Sequence, residues 1–257
     1  MSGEFHSIFC NHNDCFAIQE RTSDAIIIRV VSIPSGTIET VKTGLSVDKR
    51  TEFCQINTDT FWSNGIQNGY IRNGVNYNWR IGTYRGPDAD LQFESTVPIA
   101  NHMAFRPGGQ MILSEGASIW INHEPFQFGL YNKRNGYIGF QSNVLMLAMV
   151  ADGFFASDCE KIWFFRKVPN NWYMYKQELV YNYPAIEWSL AYDKVLLKDC
   201  GIDSPGFGRI WCSTNGICLG TDQGIVINLT EEKILYPSGY SIGSCLIKDK
   251  VIINTVQ

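Results

Sequence analysis

Apolar and polar residues alternate over short stretches along this chain, and no long stretch shows helical periodicity. Runs such as Ala25–Val31, Gln110–Leu113 and Gly208–Cys212 have the length and the β-branched or apolar content of strands. Clusters of Gly, Asn, Asp and Pro separate the runs, and pairs such as Asn215-Gly216 are typical of tight hairpin turns. Regularly spaced short strands with turn signals predict an all-β fold, as a sandwich, a barrel or a propeller.

A recurring tryptophan favours the propeller among these folds. Four segments share a polar turn, an apolar residue, a tryptophan and more strand-like sequence, and their tryptophans are Trp62, Trp120, Trp163 and Trp211. The spacing of roughly 40–60 residues is close to the length of a four-stranded propeller blade. We therefore predict one β-propeller domain over residues 1–257, with about five four-stranded blades and these indoles in the core of the repeat. A two-sheet β-sandwich is the alternative.

The two chain ends predict how the ring of blades closes. The first part of the chain is rich in strand-like runs, whereas the final stretch SCLIKDKVIINTVQ supplies only two strands. Strands from the two termini that pair in one blade would complete the ring and cover its exposed edges. We therefore expect the N- and C-terminal strands to share a blade.

The stretch FWSNGIQNGYIRNGVNYNW, residues 61–79, contains three Asn-Gly pairs. Asn-Gly favours type I′ hairpin turns because both residues tolerate a positive φ. Too few residues separate the first two pairs for a full strand, so we expect one pair in a rim loop. A loop rich in Asn, Tyr and Trp is a candidate contact surface, and its candidate residues are Asn64, Asn68, Asn73, Tyr70, Tyr77 and Trp79.

Net charge, hydropathy and cysteine content limit the kinds of partner and the compartment that we expect for this protein. The net charge is −4 and charged residues make up 18% of the chain, so it lacks the basic excess of a nucleic-acid reader. No run approaches the ~20 apolar residues that span a bilayer, and the start has no signal-peptide pattern. The eight cysteines are scattered, and several lie in strand-like runs, which favours free thiols formed in a reducing cytoplasm.

Candidate chemistry is sparse, and we expect no cofactor. His6, Cys10, His12 and Cys15 have zinc-like residue types, but a hairpin with one cysteine in each strand explains the same pattern. Paired carboxylates would suit a propeller glycosidase; the candidates are Asp59, Asp88, Asp90, Asp152, Asp158 and Glu187. Clustered aromatics either stack on sugar rings or form core; they are Trp172, Tyr173, Tyr175, Tyr181, Tyr183 and Trp188.

One long segment resembles a known family. Residues 208–236, GRIWCSTNGICLGTDQGIVINLTEEKILY, are similar to a segment of β-propeller-like virion proteins of tailed bacteriophages. The matching parts are Trp211–Thr214, Asn215–Cys218 and Asn228–Glu232, and FWSNGIQNGYI resembles the recurrent Ser-Asn-Gly strand end of that family. The resemblance implies a structural subunit of the phage tail, at the hub, nozzle or tip, and brings no catalytic residues with it.

Three functions follow as hypotheses. The first is a non-enzymatic virion subunit, assembled in the host cytoplasm, whose partners are other tail proteins and copies of itself in a ring. The second is a propeller that binds glycans of the host surface, and the third is a five-bladed propeller glycosidase. None of the three requires nucleic acid as a partner or insertion into a membrane.

Overall fold

The computed structural model describes residues 4–10, 14–32, 35–80, 82, 97–132, 134, 136–230, 243–248 and 251–256. This part of the chain is built from β-strands, and the helix found in it is one 3-10 turn, Leu197–Cys200. Across these residues, no helix has the length and apolar character needed to cross a bilayer. The fold is all-β, as the sequence predicts.

Five antiparallel four-stranded sheets follow one another along the chain, and each joins consecutive strands. We number them blades 1 to 5. Blades 1 and 2 contain β1 (Phe5–Cys10), β2 (Cys15–Glu20), β3 (Ala25–Ser32) and β4 (Thr37–Leu45), then β5 (Glu52–Ile56), β6 (Asp59–Ser63), β7 (Asn68–Arg72) and β8 (Val75–Tyr77). Blade 3 contains β9 (His102–Arg106), β10 (Gln110–Glu115), β11 (Ser118–Ile121) and β12 (Tyr137–Gly139).

The remaining strands complete blades 4 and 5 and add a short sheet. Blade 4 contains β13 (Met146–Met149), β14 (Gly153–Ser157), β15 (Ile162–Lys167) and β16 (Tyr175–Tyr181). Blade 5 contains β17 (Val195–Leu196), β18 (Phe207–Ser213), β19 (Gly216–Thr221) and β20 (Val226–Asn228). The last two strands, β21 (Gly243–Lys248) and β22 (Val251–Val256), pair with each other.

The first strand of each blade lies at the centre of the fold. Strand β9 packs against both β5 and β13, and Phe9 of β1 stacks on Phe53 of β5 with ring centroids 5.7 Å apart. In blade 5 the central position is filled by residues 185–196, which we call the inner segment. It follows β18, since the N–H of Ala191 donates to the carbonyl of Ile210 at 2.8 Å. This arrangement of successive meanders around a common axis is that of a β-propeller.

The core lies between neighbouring blades. Apolar side chains of blades 1 and 2, 2 and 3, 3 and 4, and 4 and 5 form four separate clusters of buried residues. Each fully buried Phe, Ile or Leu side chain stabilises the fold by about 1.5–3 kcal/mol relative to exposure. A blade between two others is covered on both faces. This explains why every residue of β13 (MLAM) and of β14 (GFFAS) is buried, without the alternation of a half-exposed strand.

The predicted closure of the ring by terminal strands is wrong for the described residues. Blade 1 takes all four of its strands from the N-terminal part of the chain. Its strand positions are therefore filled, and β21 instead begins beside blade 5, where the N–H of Gly243 donates to the carbonyl of Glu187 at 2.7 Å. Blades 1 and 5 still touch, because the rings of Phe9 and Tyr192 meet edge to face at 4.6 Å.

The four tryptophans lie one in each of blades 2 to 5, but at two different positions. Trp62 in β6 and Trp211 in β18 are on second strands and are 1% and 0% exposed. Trp120 in β11 and Trp163 in β15 are on third strands and are half-buried against the core clusters. The regular spacing therefore identifies one tryptophan in each of blades 2 to 5, but the four tryptophans do not occupy equivalent positions in their blades.

The three Asn-Gly pairs serve three different purposes. Asn73 and Gly74 have φ of 52° and 76° and form the two-residue turn between Arg72 and Val75, as type I′ geometry requires. Asn64 and Gly65 belong to the β6–β7 turn, where the Asn64 side chain accepts the N–H of Gln67 at 2.7 Å. The third pair lies within β7, where Gly69 is paired with Trp62.

The Trp62 indole packs directly against Gly69 and leaves no room for a side chain there, so Gly69→Ala should destabilise the protein. A Cβ at this position would lie 2.8 Å from three indole atoms of Trp62, and overpacking of this kind costs about 1–3 kcal/mol. Urea denaturation measures the loss. Gly139→Ala in β12 is the control, since a Cβ there meets nothing within 4 Å. Equal midpoints for the two variants would contradict the packing role of Gly69.

Candidate functional site

Three blades meet at His102, which marks the axis of the propeller. His102 begins β9 in blade 3 and is 4% exposed. Its Nδ1 lies 3.6 Å from a carboxylate oxygen of Glu52, which begins β5, and its Nε2 lies 3.2 Å from Glu187 in the inner segment. Blades 3 and 5 are not neighbours along the chain, so this second contact runs through the centre. We call Glu52, His102 and Glu187 the axial histidine cluster.

A turn in the inner segment, in which the N–H of Ser189 donates to the carbonyl of Ile186 at 3.2 Å, places Glu187 at the axis. The next residue, Trp188, has a φ of 66°, a left-handed conformation that bulky residues rarely adopt. Its ring packs on His102 with centroids 4.6 Å apart. The local backbone therefore places the Glu187 carboxylate and the Trp188 indole against the same imidazole ring, that of His102.

The two carboxylates determine the charge of His102. Burial on its own would lower the pKa of the imidazole, but the hydrogen bonds and negative charges of Glu187 and Glu52 outweigh burial and raise the pKa above its ordinary value. The raised pKa favours the imidazolium form of His102, with one carboxylate beside each nitrogen. Because the carboxylates lie on opposite nitrogens of the ring, they do not converge on one point. In the described part of the chain, no group of three metal-ligating side chains is close enough to hold an ion.

The axial histidine cluster was only partly predicted from the sequence. Glu187 was one of the candidate carboxylates, but Glu52 and His102 had no distinguishing sequence context. The other candidates do not join it: Asp59 pairs with Arg72 at 2.5 Å, and Asp158 accepts the N–H groups of its own turn. Asp152 is exposed, and Asp88 and Asp90 lie outside the described residues.

The opposite end of the inner strands is basic. Strand β9 runs from His102 to Arg106, and the Arg106 guanidinium donates to the carbonyl of Ala151. Arg209 of blade 5 donates to the carbonyl of Met149 at 3.2 Å and to that of Tyr192. We call Arg106, Arg209 and the nearby Lys194 the basic cluster.

Burial raises the pKa of the Cys54 thiol to about 12; this thiol therefore stays protonated and is not a nucleophile.

The candidate zinc residues do not form a metal site. Cys10 and Cys15 are directly opposed in the β1–β2 hairpin and form a disulfide. The expectation of free thiols is therefore wrong for this pair, because strand pairing brings their Cα atoms to 4.0 Å. His6 hydrogen-bonds Ser7 and Glu20, and His12 lies outside the described residues. Cys54, Cys159, Cys200 and Cys218 are free thiols, and Cys212 is buried in β18.

Three of the clustered aromatics join blades 3 and 4 instead of forming a ligand platform. The indole N–H of Trp172 donates to the carbonyl of Asn122 at 2.5 Å, and the Tyr173 hydroxyl donates to the carbonyl of His123 at 3.0 Å. The Tyr175 hydroxyl donates to the side chain of Gln110. Their rings pack on the buried cluster between the two blades.

The residues of the candidate contact loop are divided between core and surface. Asn64 and Trp79 are 4% and 8% exposed, so they do not present a surface. Tyr70 and Tyr77 stack on each other across β7 and β8 at 5.2 Å, and Asn73 is exposed at the hairpin turn. Asn68 begins β7 and lies close to the carbonyls of residues 97 and 98.

Comparisons with known proteins identify the fold class. No family model and no curated protein matches this chain. The S. cerevisiae structure of Dbp5 bound to Nup159 and Gle1 matches with a TM-score of 0.53 and 8% identity, over 98% of this chain and 72% of that one. A gluconolactonase from Xanthomonas campestris matches with a TM-score of 0.51 and 10% identity, over 94% and 79%. The chain is an all-β protein of the β-propeller class.

A further match has a lower score. The AfRom2 CNH domain has a TM-score of 0.43 and 7% identity over 85% of this chain, which spans 63% of that structure. At identities of 8% and 10%, the first two matches establish the fold and leave function to be argued from the residues.

Proposed function

We propose that this protein is a non-enzymatic structural subunit of a tailed-phage virion. In this proposal it assembles in the tail, at the hub, nozzle or tip, through contacts with other tail proteins and with copies of itself in a ring. The resemblance of residues 208–236 to virion proteins of tailed bacteriophages suggests the phage tail as the place of assembly. The observation on which the proposal depends most is the character of the propeller rim.

The outermost strands of four blades expose apolar side chains. Ile38 in β4, Tyr77 in β8, Tyr137 in β12 and Leu179 in β16 are 40%, 44%, 50% and 48% exposed. Each of these strands is the last in its sheet and pairs on one side. Single exposed apolar residues are ordinary on protein surfaces, but their recurrence on successive outer edges, with tyrosine at two of them, suits contacts with other proteins.

The axial histidine cluster supports a role without catalysis. A glycosidase needs two carboxylates that face the substrate across a pocket about 5–10 Å wide. Glu52 and Glu187 are instead separated by the buried ring of His102, and each is engaged with one of its nitrogens. The arrangement ties blades 2, 3 and 5 together, which serves rigidity.

The proposal predicts that the chain is a component of the particle and that its rim mediates assembly. Mass spectrometry of purified virions should detect it together with tail proteins. Tyr77→Asp and Tyr137→Asp should reduce self-association or tail-protein capture at least about tenfold, because a buried unpaired charge disrupts an interface. Sedimentation and pull-down measure both effects.

The matched control is Asn78→Asp, which adds the same charge at an exposed position beside Tyr77. It should assemble as the wild type does. Purified particles that lack this chain would count against the virion role. Rim variants with normal assembly but lost binding to a host-surface glycan array would instead favour the glycan-binding alternative.

A further inference from the structure

The basic end of the axis carries positive charges that the assembly role does not use. Arg106 comes from blade 3, whereas Lys194 and Arg209 come from blade 5. Among the described residues, none of the three lies within 4.0 Å of a carboxylate in an ion pair. Arg106 and Arg209 are partly buried, and partly buried cations normally have an anionic partner, so the absence of an ion pair for these two side chains requires an explanation.

Backbone contacts hold the two arginine side chains at one place. Arg106 donates to the carbonyl of Ala151, and Arg209 donates to the carbonyl of Met149 two residues earlier. Both guanidinium groups are therefore anchored where β13 ends and its connection to β14 begins. Neutral carbonyls orient these groups without neutralising them, and Nη1 of Arg106 is buried with no acceptor in the described structure.

Lys194 adds a third charge to the same place. It lies two residues after Tyr192, whose carbonyl accepts from Arg209. Burial lowers the pKa of Lys194, and the nearby positive charges of Arg209 and Arg106 lower it further, although Asp222 acts against them. Three positive groups thus repel one another at one end of the axis.

The nearby acids compensate for this charge only in part. The carboxylate oxygens of Asp222 accept the N–H groups of Ala151 and Phe207, so this side chain is committed to the backbone. Asp193 is exposed. Burial lowers the pKa of Arg209, and both aspartates, with other neighbours, oppose that shift. The cluster retains an excess of positive charge and unsatisfied donors.

We propose that Arg106, Lys194 and Arg209 form a binding site for a phosphate group, either as inorganic phosphate or as a phosphate monoester. Two guanidinium groups and an ammonium supply donors on several sides, and phosphate offers three acceptor oxygens and a charge of about −1.5 to −2 at neutral pH. A single carboxylate has two oxygens and one negative charge, and it would satisfy the cluster less completely. Bound phosphate relieves the repulsion among the three cations and fixes the β13–β14 connection against the inner segment.

The test is calorimetric titration of the full chain with inorganic phosphate, phenyl phosphate and acetate at matched ionic strength. We expect saturable binding of phosphate, with acetate at least about tenfold weaker. Lys194→Gln should weaken phosphate binding about tenfold, as expected for one lost charged hydrogen bond. Lys194 is exposed, so this variant should fold even if Arg209→Gln does not. Lys49→Gln, an exposed lysine in the turn before β5, is the matched control.

The two phosphate arms separate the sources of the ligand. Binding of both compounds indicates a site open to esters, whereas binding of inorganic phosphate alone indicates a site for the free ion, and either result supports the proposal. Acetate binding equal to phosphate binding would overturn it, as would unchanged affinity in Lys194→Gln or an equal loss in Lys49→Gln. None of these measurements depends on whether the chain is found in virions, so the two proposals fail separately.

Discussion

Trp211→Ala should destabilise the protein by about 3–5 kcal/mol, the range of large-to-small substitutions in well-packed cores. The indole is 0% exposed and packs on the ring of Phe155 in blade 4, with centroids 5.4 Å apart. It also lies directly against the backbone of Gly220, where a Cβ would approach it to 2.5 Å. The cavity would therefore open between blades 4 and 5, where the neighbouring side chains are held by their own strands. Urea denaturation measures the loss.

Trp163→Ala is the matched comparison, because Trp163 belongs to the same sequence repeat but is only half-buried. Its indole N–H donates to Asp158 at 3.0 Å, whereas that of Trp211 is buried with no acceptor in the described structure. We expect a smaller loss for Trp163→Ala, about 1–3 kcal/mol, because folding buries less of the apolar surface of this half-buried side chain. Equal losses would show that the two indoles have equivalent roles and would contradict the distinction between second-strand and third-strand positions.

The sequence predicts the fold because blade formation is local. Each blade is a meander of neighbouring strands, so alternation and turn residues such as Asn73 and Gly74 are sufficient to indicate it. The closure was predicted wrongly because it depends on which strands remain available after folding. Blade 1 fills its own four positions within residues 5–45, and no local signal reports that the terminal strands will pair elsewhere.

The axial groups could not be predicted as a set. Glu52, His102 and Glu187 are far apart in the sequence and meet only because three inner strands converge on one axis. None has a distinctive sequence context: Glu52 and His102 begin strands, and Glu187 lies in a turn that contains no Gly, Pro, Asn or Asp. The same is true of Arg106 and Arg209. In a propeller, local sequence defines the blades, whereas the axis is defined by residues brought together from different blades.

His102→Leu should destabilise the protein by about 2–4 kcal/mol near pH 6, because it leaves two partly buried carboxylates without their cation. Glu52 and Glu187 have side chains 25% and 27% exposed, so water screens part of the cost. Two carboxylates left at one axis also repel each other. The triple variant His102→Leu, Glu52→Gln, Glu187→Gln should recover part of the loss, since it removes both charges. A cycle of urea denaturation experiments measures this coupling.

The stability of the wild type should also depend on pH at this site, in a direction set by the raised pKa of His102. Below the unfolded-state pKa of about 6.5, the histidine is protonated in both states and its full contribution is present. As the pH rises from there through the raised folded pKa, the folded protein loses a proton that it held more tightly than the unfolded chain, and the unfolding free energy falls. His102→Gln removes this titration, so the difference between wild type and variant should shrink with rising pH. A difference that stays constant from about pH 6 to pH 9 would mean that the folded-state pKa is not raised, and that the axis is not held together by an imidazolium between two carboxylates.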